Sequence, residues 1–234
     1  MTHPHVIAVM QPYFFPYIGY YQMAFSVDEF VFFDDVNFFK KGYINRNRIL
    51  LHGRPHQFTI PISHVSQNRK ICELQYATQW GQFLRLIKVA YCHAPFFQDI
   101  YSLIESTVLN EEENVAIKNA SSIMNVFHYL GITRRWSRAQ ALDLGKALKG
   151  ESRVLEICAR KNATTYRNSF GGKSLYSHDS FRSRGIELTF IHPSELSYEQ
   201  RTGSFTPNLS IIDVLMFCSV EQTKHLLGQY ILET

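Results

Sequence analysis

Two short apolar runs near the start of the chain constrain its fold more than any other feature. Val6–Met10 (VIAVM) and residues 29–33 (EFVFF) have the length and composition of strands that are buried on both faces. The connection between them, residues 11–28, is long enough for the crossover that two parallel strands require, and residues 20–26 can form a short helix within it. The sequence therefore predicts a βαβ unit and an α/β fold.

The rest of the chain reads as helical segments with few strands. Apolar spacing predicts helices at residues 78–93, 111–130, 152–160, 210–218 and 220–232. Residues 71–74 and 187–191 look extended, whereas residues 163–176 look like a loop. We expect a Rossmann-like N-terminal parallel sheet in residues 1–110 and a mainly helical part in residues 111–234 that completes the same site. A single domain that contains both parts is the alternative.

Composition excludes several classes of protein. The 234 residues include 24 Lys and Arg against 20 Asp and Glu, a net charge of +4, and DNA-binding proteins are usually more strongly basic on their binding face. The four cysteines (Cys72, Cys92, Cys158 and Cys218) are scattered without a CxxC pair, and the ten histidines show no HExxH pattern. This argues against a zinc module or a disulfide scaffold and favours reduced thiols in a cytosol.

Residues 1–27 contain no Asp, Glu, Lys or Arg, which superficially suggests a signal peptide or a membrane span. However, the stretch lacks a basic start and a cleavage site, and its apolar run is broken by Gln11, Pro12, Pro16, Gly19 and Gln22. A membrane-spanning helix needs about 20 mostly apolar residues. We therefore expect a soluble cytoplasmic protein without membrane insertion.

Two loops at the carboxyl ends of the predicted strands are the first candidates for a functional site. In an open α/β sheet, ligands bind outside these ends, so residues 11–19 and 34–48 would face the same crevice. Of the 33 aromatic residues, 13 lie within the first 43 positions, which is denser than an even distribution through a core. We expect several of these rings to wall a pocket, with core packing as the alternative for each ring.

The second loop carries the charged candidates. Asp34 and Asp35 follow a buried strand and could orient an amine, a ribose or a magnesium ion, although a capping role is the alternative. Neighbours in an extended chain point to opposite sides, so one of the two would face a given ligand. The segment that follows combines cations and amides suited to phosphate or carboxylate: Lys40, Lys41, Asn45, Arg46, Asn47 and Arg48. A solvated basic face or an RNA-binding surface are the alternatives for this segment.

Later segments give weaker signals. Gly171 and Gly172 lie in a polar stretch whose backbone amides could cradle an anion, although it is not a Walker loop. Cys158 precedes that stretch by one helix, and a buried helical cysteine is usually inert. Tyr198, Gln200 and Asp213 are polar residues among apolar neighbours and are candidates for ligand contacts.

These residues together resemble the WbqC-like family. The first part of the resemblance rests on QPYFFPYIGY (residues 11–20), FDDV (33–36) and KGYINRNRIL (41–50). It continues through residues 94–97, 131–133, 157–158, 171–172, 175–176 and 185–188, then Tyr198 with Gln200, and LSIID (209–213). It covers nearly the whole chain, and the motifs of the first fifty residues are the most specific.

The resemblance implies a role in the biosynthesis of O-antigen, lipopolysaccharide or another surface polysaccharide. It further implies a transferase that attaches glycine, or a similar amino acid or acyl group, to the amino group of a nucleotide-linked sugar. The partners would be that amino sugar and an amino acid or activated acyl donor, with aminoacyl-tRNA as one form of donor. A homodimer is left open. A non-catalytic protein that binds a sugar nucleotide or RNA is the alternative function.

Amide formation from a free acid requires activation, commonly as an acyl adenylate. Tyr17, Ile18, Gly19 and Tyr20 match the position and spacing of the His-x-Gly-His motif in the nucleotidyltransferase superfamily that includes class I aminoacyl-tRNA synthetases. This distant resemblance makes ATP and Mg²⁺ candidate cofactors, although tyrosine cannot supply the imidazole and no second signature motif is present. A helix N-terminus after Gly19 would favour phosphate.

The hypothesis assigns a role to each candidate. Arg46 and Arg48 would hold phosphates, and Lys40 or Lys41 would neutralise charge in the transition state. Asp34 or Asp35 would orient or deprotonate the sugar ammonium. The remaining residues would bind substrate: Asn45 and Asn47 the sugar or acyl group, and Gln11, Pro12, Tyr13, Tyr17, Gly19 and Tyr20 the nucleotide.

Overall fold

The structure is a computed structural model, and it describes residues 4–77, 80–145, 147–194, 196–201 and 203–234. Residues 78 and 79, where the sequence predicts the start of a helix, lie outside the described residues. The strands are β1 (Val6–Met10), β2 (Glu29–Phe32), β3 (Arg46–Leu51), β4 (Arg54–Thr59), β5 (Ile62–Ser63), β6 (Gln75–Tyr76), β7 (Arg135–Arg138), β8 (Thr165–Ser169), β9 (Glu187–Pro193) and β10 (Tyr230–Glu233). The helices are α1 (Ile18–Phe25), α2 (Trp80–Tyr91), α3 (Phe97–Leu109), α4 (Val115–Tyr129), α5 (Gly150–Arg160), α6 (His178–Arg182), α7 (Ile211–Phe217) and α8 (Val220–Leu227).

The central sheet has Rossmann topology. Within the described ranges, six strands lie in the order β7-β2-β1-β8-β9-β10, and β10 is the one that runs antiparallel to its neighbour. Counted along the chain, this is the order 3-2-1-4-5-6, in which the direction of winding reverses between β1 and β8. The predicted βαβ unit is confirmed, since β1 and β2 pair in parallel with Ile7 opposite Glu29.

Alternate residues of the central strands pack into two separate hydrophobic cores, one on each face of the sheet. Ala8 and Phe30 pack in the larger core, with side chains from α1, α2, α3, α4, α7 and α8. Ile7 and Val31 face the other side of the sheet, where they pack with residues of α5 and α6. Both faces are therefore covered, which explains why the two apolar runs lack a polar alternation.

A long insertion between β2 and β7 builds the wall beside the first loop. It contains the β3–β4 hairpin, the short β5–β6 pair and helices α2 to α4. Asn119 on α4 donates from Nδ2 to the carbonyls of Pro12 (3.0 Å) and Ile44 (2.7 Å), and Phe14 N–H donates to the Ile44 carbonyl (3.1 Å). These bonds hold the loop after β1 against the segment that leads into β3.

Three predictions of local structure are wrong. Residues 163–176 contain β8 and a 3₁₀ helix, Phe170–Leu175, because buried partners satisfy the polar side chains of the strand. Residues 71–74 form a 3₁₀ helix, Ile71–Glu73, and do not form a strand. The last helix, α8, ends at Leu227, and the chain then returns as β10. Its predicted start is confirmed, since Ser219 and Gln222 form a capping box.

The predicted α/β class is confirmed, but the two parts of the chain share one sheet. In the described part of the chain, β1 and β2 come from residues 1–110, whereas β7 to β10 come from residues 111–234. The second half therefore contributes strands as well as the helices α4 to α8. No helix within the described ranges is long and apolar enough to cross a bilayer.

Candidate functional site

The loop after β1 is clamped in a strained conformation. Phe15 is fully buried and has a φ of 41°, a left-handed value that costs a non-glycine residue about 1–3 kcal/mol. Its N–H donates to Ser122 Oγ (3.1 Å), and its carbonyl accepts from Asn47 Nδ2 (2.7 Å) and Ser210 Oγ (2.7 Å). Three distant segments thus fix the loop, and Tyr13 and Tyr17 on either side of Phe15 are left half-buried.

Two cavities lie on either side of Tyr17. Cavity A, about 590 Å³, is lined by Tyr17, Ile18, Gly19, Ser194, Leu196, Ser197, Tyr198, Phe205, Pro207, Asn208, Leu209 and Val214. Cavity B, about 380 Å³, is lined by Tyr13, Pro16, Tyr17, Tyr43, Asn47, Arg48 and Asn208. Tyr17 and Asn208 line both, so the two cavities form one cleft, and each has the size of a small-molecule site. The cleft joins the N-terminus of α1, the start of β3 and the segment after β9.

The Tyr17 ring occupies the space above Gly19. A Cβ added at Gly19 would lie 2.5 Å from Cε2 of Tyr17, closer than any real side-chain contact. Glycine at this position therefore allows the ring to lie against the helix. The predicted role of Gly19 is to contact a nucleotide, whereas in the structure the space above it is filled by the Tyr17 ring.

A buried carboxylate lies behind the wall of cavity A. Asp213 is fully buried on α7 and accepts hydrogen bonds from the hydroxyls of Tyr91 (2.8 Å) and Tyr198 (2.7 Å) and from Gln200 Nε2 (3.0 Å). None of these partners carries a positive charge. Burial raises the pKa of Asp213 even though all three hydrogen bonds act in the opposite direction. Such a carboxylate binds a proton more readily than an exposed one.

Tyr13, Tyr17 and Tyr198 remain hydrogen-bond donors at neutral pH. Burial raises the pKa of Tyr13 and Tyr17, and the neighbouring hydroxyls of Tyr17 and Tyr43 add to the effect on Tyr13. Burial also raises the pKa of Tyr198, and the negative charge of Asp213 raises it further. Each phenol therefore keeps its proton, and the described residues that line the cleft include one formal charge, Arg48.

The structure brings some of the predicted site residues together. Tyr13, Tyr17, Gly19, Asn47, Arg48 and Tyr198 line the cleft. Gln200 and Asp213 lie directly behind it, and Gln200 also binds the carbonyl (3.0 Å) and N–H (2.8 Å) of Thr206, which fixes the segment beside cavity A. Asn47 uses its amide to hold Phe15, so it positions the loop.

The predicted acids lie elsewhere. Asp34 is fully buried, pairs with Arg138 Nε (2.5 Å) and accepts from the backbone N–H of Gln140 (3.0 Å). Asp35 pairs with Arg153 on α5, and both side chains of that pair are buried. The two neighbours therefore contact different elements, as expected for an extended chain. Neither acid is among the residues that line the two cavities, and their predicted roles in catalysis stay predictions.

The predicted cations lie beside cavity B. Lys40 and Lys41 are exposed, and Arg46 donates to the carbonyls of Gly42 (2.7 Å) and Lys41. Arg46 also lies 5.9 Å from the centre of the Tyr43 ring, so it supports a wall residue. Asn45 donates to the Ile60 carbonyl (2.7 Å).

The remaining candidates have structural contacts. Tyr20 is buried and donates to the Gln11 carbonyl (2.9 Å), and the Pro12 carbonyl accepts from Asn119. Gly172 lies against the Asn168 side chain, 2.7 Å from where a Cβ would stand, whereas Gly171 is exposed with open space around it. Neither glycine is among the residues that line the cleft.

Several cleft residues were missed by sequence reasoning. Tyr43 is one of the 13 early rings, several of which were expected to wall a pocket, but the sequence assigned it no role of its own. Four further lining residues lie in the segment after β9, where the described residues form no helix or strand and periodicity gives no signal: Ser194, Ser197, Phe205 and Asn208. Asn208 has a φ of 57°, and an Asn after a Pro is a turn signal that could have marked it.

The cleft does not fit a magnesium site built from protein carboxylates. Among the described residues, none that lines cavity A or B is Asp or Glu. No group of three or more His, Cys, Asp or Glu side chains in the described ranges is arranged to hold a metal ion. The buried acid behind cavity A, Asp213, already accepts three hydrogen bonds.

Comparison with known proteins shows the family of the chain. The sequence profile of the WbqC-like protein family matches residues 11–225. The uncharacterized protein Rv1507c of Mycobacterium tuberculosis is 28% identical over 225 residues, which cover 94% of this chain and 96% of that protein. No solved structure shows significant similarity to the chain. Because the family profile spans the loop after β1, the β3 segment and α7, and so most of the cleft, the chain belongs to the WbqC-like protein family.

Proposed function

We propose that the cleft joins an aminoacyl or acyl group to the amino group of a nucleotide-linked amino sugar. Membership of the WbqC-like family suggests a role in surface-polysaccharide biosynthesis, and this proposal assigns a reaction within that role. One observation carries it: two cavities of ligand size share a wall formed by Tyr17 and Asn208. A transferase needs two substrates to meet at one point, and this cleft offers two compartments with one boundary.

Cavity A suits the amino sugar nucleotide. Ile18 and Gly19 at the N-terminus of α1 line it, and the amides of a helix N-terminus favour phosphate. The hydroxyls of Ser194 and Ser197 can bond sugar hydroxyls, and the Phe205 ring offers a face for the base. The donor would occupy cavity B, where the Tyr13 and Tyr43 rings lie 6.4 Å apart and Arg48 can bind an anionic group.

Tyr198 and Asp213 can remove the proton that the reaction releases. The neutral amine nitrogen attacks the acyl carbonyl carbon, the new C–N bond forms, and the bond from that carbon to the leaving oxygen breaks. The proton lost by nitrogen passes to the Tyr198 hydroxyl as that hydroxyl gives its own proton to Asp213, 2.7 Å away. Asp213 then returns this proton through the Tyr198 hydroxyl to the leaving oxygen, so the one proton that the amine releases is the one that the leaving group takes up. The raised pKa of Asp213 makes it a better proton acceptor than an exposed aspartate.

Ligand-induced stabilisation tests the binding half of the proposal. UDP- and dTDP-linked amino sugars at 100 times their Kd should add about 2.7 kcal/mol, which raises Tm by roughly 5–11 °C for a chain of this size. Arg160→Ala, an exposed site on α5, is the control and should behave as wild type. If no amino sugar nucleotide shifts Tm at millimolar concentration, cavity A does not bind the acceptor and the proposal fails.

Substitution of one hydroxyl tests the catalytic half. Tyr198→Phe should retain amino sugar binding but lose turnover by about 10²–10⁴-fold, the range for a positioned acid or base. Tyr101→Phe on α3 is the matched control. ATP with glycine is the first donor to assay, through pyrophosphate release, because an acyl adenylate is the commonest activated form. If the folded Tyr198→Phe variant turns over as fast as wild type, Tyr198 and Asp213 do not transfer the proton and the proposed mechanism is wrong.

A further inference from the structure

The positive charge of this protein is concentrated in one segment. Residues 36–72 contain seven Lys and Arg and no Asp or Glu. The whole chain has 24 basic and 20 acidic residues, so removing these seven leaves 17 basic against 20 acidic residues. The net charge of +4 is therefore the sum of a strongly basic segment and a remainder that is slightly acidic.

Folding gathers most of these cations around the mouth of cavity B. Arg46 and Arg48 lie two residues apart on β3, on the same face and about 7 Å apart. Arg46 holds the turn that carries Lys40 and Lys41. The Phe38 N–H donates to the Arg69 carbonyl (2.9 Å), and Asn37 forms a bridge with Lys70, which brings residues 69 and 70 beside the same turn.

In the described part of the chain, the cations of this surface lack ion-pair partners, although the Glu73 carboxylate accepts from the Lys70 N–H (3.0 Å) at the end of the segment. Within the described ranges, none of the seven cations takes part in an ion pair, whereas Arg138, Arg153 and Lys161 elsewhere are paired with buried acids. Arg46, Arg48 and Arg69 bond only backbone carbonyls, which leave their positive charge in place. A surface of this kind attracts a polyanion.

Exposed rings accompany the cations. Phe39 is 57% exposed and Tyr43 is 50% exposed, and both lie in the turn next to Lys40 and Lys41. Tyr43 also lines cavity B, so the basic surface and the cavity are continuous. Cations that follow a phosphate backbone, together with rings on which bases can stack, are the features of single-strand binding sites. Paired bases in a duplex are stacked on one another and cannot use such rings.

We propose that residues 36–72 form a docking surface for single-stranded RNA, and that the acyl donor reaches cavity B as an aminoacyl ester on the RNA terminus. The amine in cavity A attacks the ester carbonyl, the C–N bond forms, and the bond from the carbonyl carbon to the ribose oxygen breaks. The ribose oxygen leaves as a hydroxyl with the proton that the amine gives up. The inference rests on the proposed function for this step alone, since RNA docking does not require it.

Fluorescence anisotropy with a 5′-labelled single-stranded RNA of about 12 nucleotides tests the docking surface. Binding should weaken with salt, with a slope of log K against log[salt] near −3 if about four phosphates are neutralised. Lys40→Glu/Lys41→Glu should weaken binding at least tenfold and reduce the slope by roughly 1.4 units. Tyr43→Ala should weaken binding at least about fivefold and leave the slope unchanged, because it removes stacking and keeps the charge.

The control reverses the same number of charges on another face. Arg182→Glu/Arg184→Glu changes two exposed arginines at and just beyond α6, on the side of the sheet that α5 and α6 cover. It should bind RNA as wild type does. Equal losses in both double variants would show only a general charge effect and would overturn the docking surface. Absence of RNA binding at low salt, or preference for phosphatidylglycerol vesicles over RNA, would also overturn it.

The donor is tested with a glycyl ester on the same RNA. The glycyl-RNA is mixed, without ATP, with the protein and with the amino sugar nucleotide that raises its Tm. The labelled glycyl group should then be transferred from the RNA to the sugar. If the sugar nucleotide binds and the RNA does not, this inference fails and the proposed transferase stands. If RNA binds through Lys40 and Lys41 and no amino sugar nucleotide binds, the proposed transferase fails and the docking surface stands.

Discussion

Gly19→Ala provides the sharpest test of how the cleft is built. In a helix, Ala is normally about 1 kcal/mol more favourable than Gly. Here the new Cβ would lie 2.5 Å from the Tyr17 ring, whereas comfortable carbon contacts are about 3.5–4.0 Å. The ring must therefore move by about 1 Å or more into cavity A or B, and overpacking of this kind costs about 1–3 kcal/mol. The net result is a variant up to about 2 kcal/mol less stable than wild type.

Gly81→Ala is the matched control, because Gly81 lies in α2 with no atom near the added Cβ. It should gain about 0.5–1 kcal/mol, since nothing opposes the helix preference. Urea denaturation of both variants measures their free energies of unfolding, which should differ by about 1–3 kcal/mol. Repeating the measurement in a Tyr17→Ala protein separates the helix preference of Ala from the clash with the Tyr17 ring. Without that ring, Gly19→Ala should be as stabilising as Gly81→Ala. If Gly19→Ala is as stabilising as Gly81→Ala in the wild-type background, the Tyr17 ring is not held over the helix and the described division of the cleft is wrong.

Three further variants probe the buried polar groups. Asp35→Asn should lower the free energy of unfolding by about 3–5 kcal/mol in urea titration, because it leaves Arg153 buried without its partner; a change below 1 kcal/mol would refute a structural ion pair. Lys118→Met should cost about 2–4 kcal/mol by the same measurement, because the Lys118 ammonium satisfies the Val108 carbonyl and two oxygens of Asn110. The pKa of Asp213 in the folded protein is above its usual value of 3.8. The free energy of unfolding therefore falls as pH rises from the unfolded-state pKa to the folded-state pKa, because ionisation is harder in the folded protein. The stability of wild type relative to Asp213→Asn should therefore fall as pH rises above about 4 and become constant once Asp213 is ionised in the folded state. A difference that does not change with pH would contradict the assignment.

The sequence was informative where structure depends on near neighbours or on a general rule of topology. The runs at β1 and β2 are buried on both faces, so their composition alone identified them. The rule that ligands bind at the carboxyl ends of parallel strands then brought Tyr13, Tyr17 and Arg48 to one cleft. Tyr198 was identified as a polar residue in an apolar setting, and it lines cavity A.

Other features depend on partners that are remote in sequence. The polar strand β8 could not be recognised because Arg167 is satisfied by the Ser26 carbonyl and the Thr189 hydroxyl, 141 and 22 residues away. Asp34 and Asp35 looked available to a ligand, and their arginine partners lie 104 and 118 residues later. Periodicity and local composition carry no information about such pairs.

The two compartments of the cleft differ in how they are supported, and this affects how the protein can diversify. Cavity B is built on β3 and on the clamped loop around Phe15, where one substitution disturbs contacts with three other segments. Much of cavity A comes from the segment that follows β9, whose described residues form no helix or strand and are held by side-chain bonds of Tyr198 and Gln200. Substitutions among the exposed residues of that segment can therefore change the shape of cavity A while cavity B is kept. Within this architecture, exchanging residues 203–209 between relatives is the natural route to a cavity A with a different ligand preference.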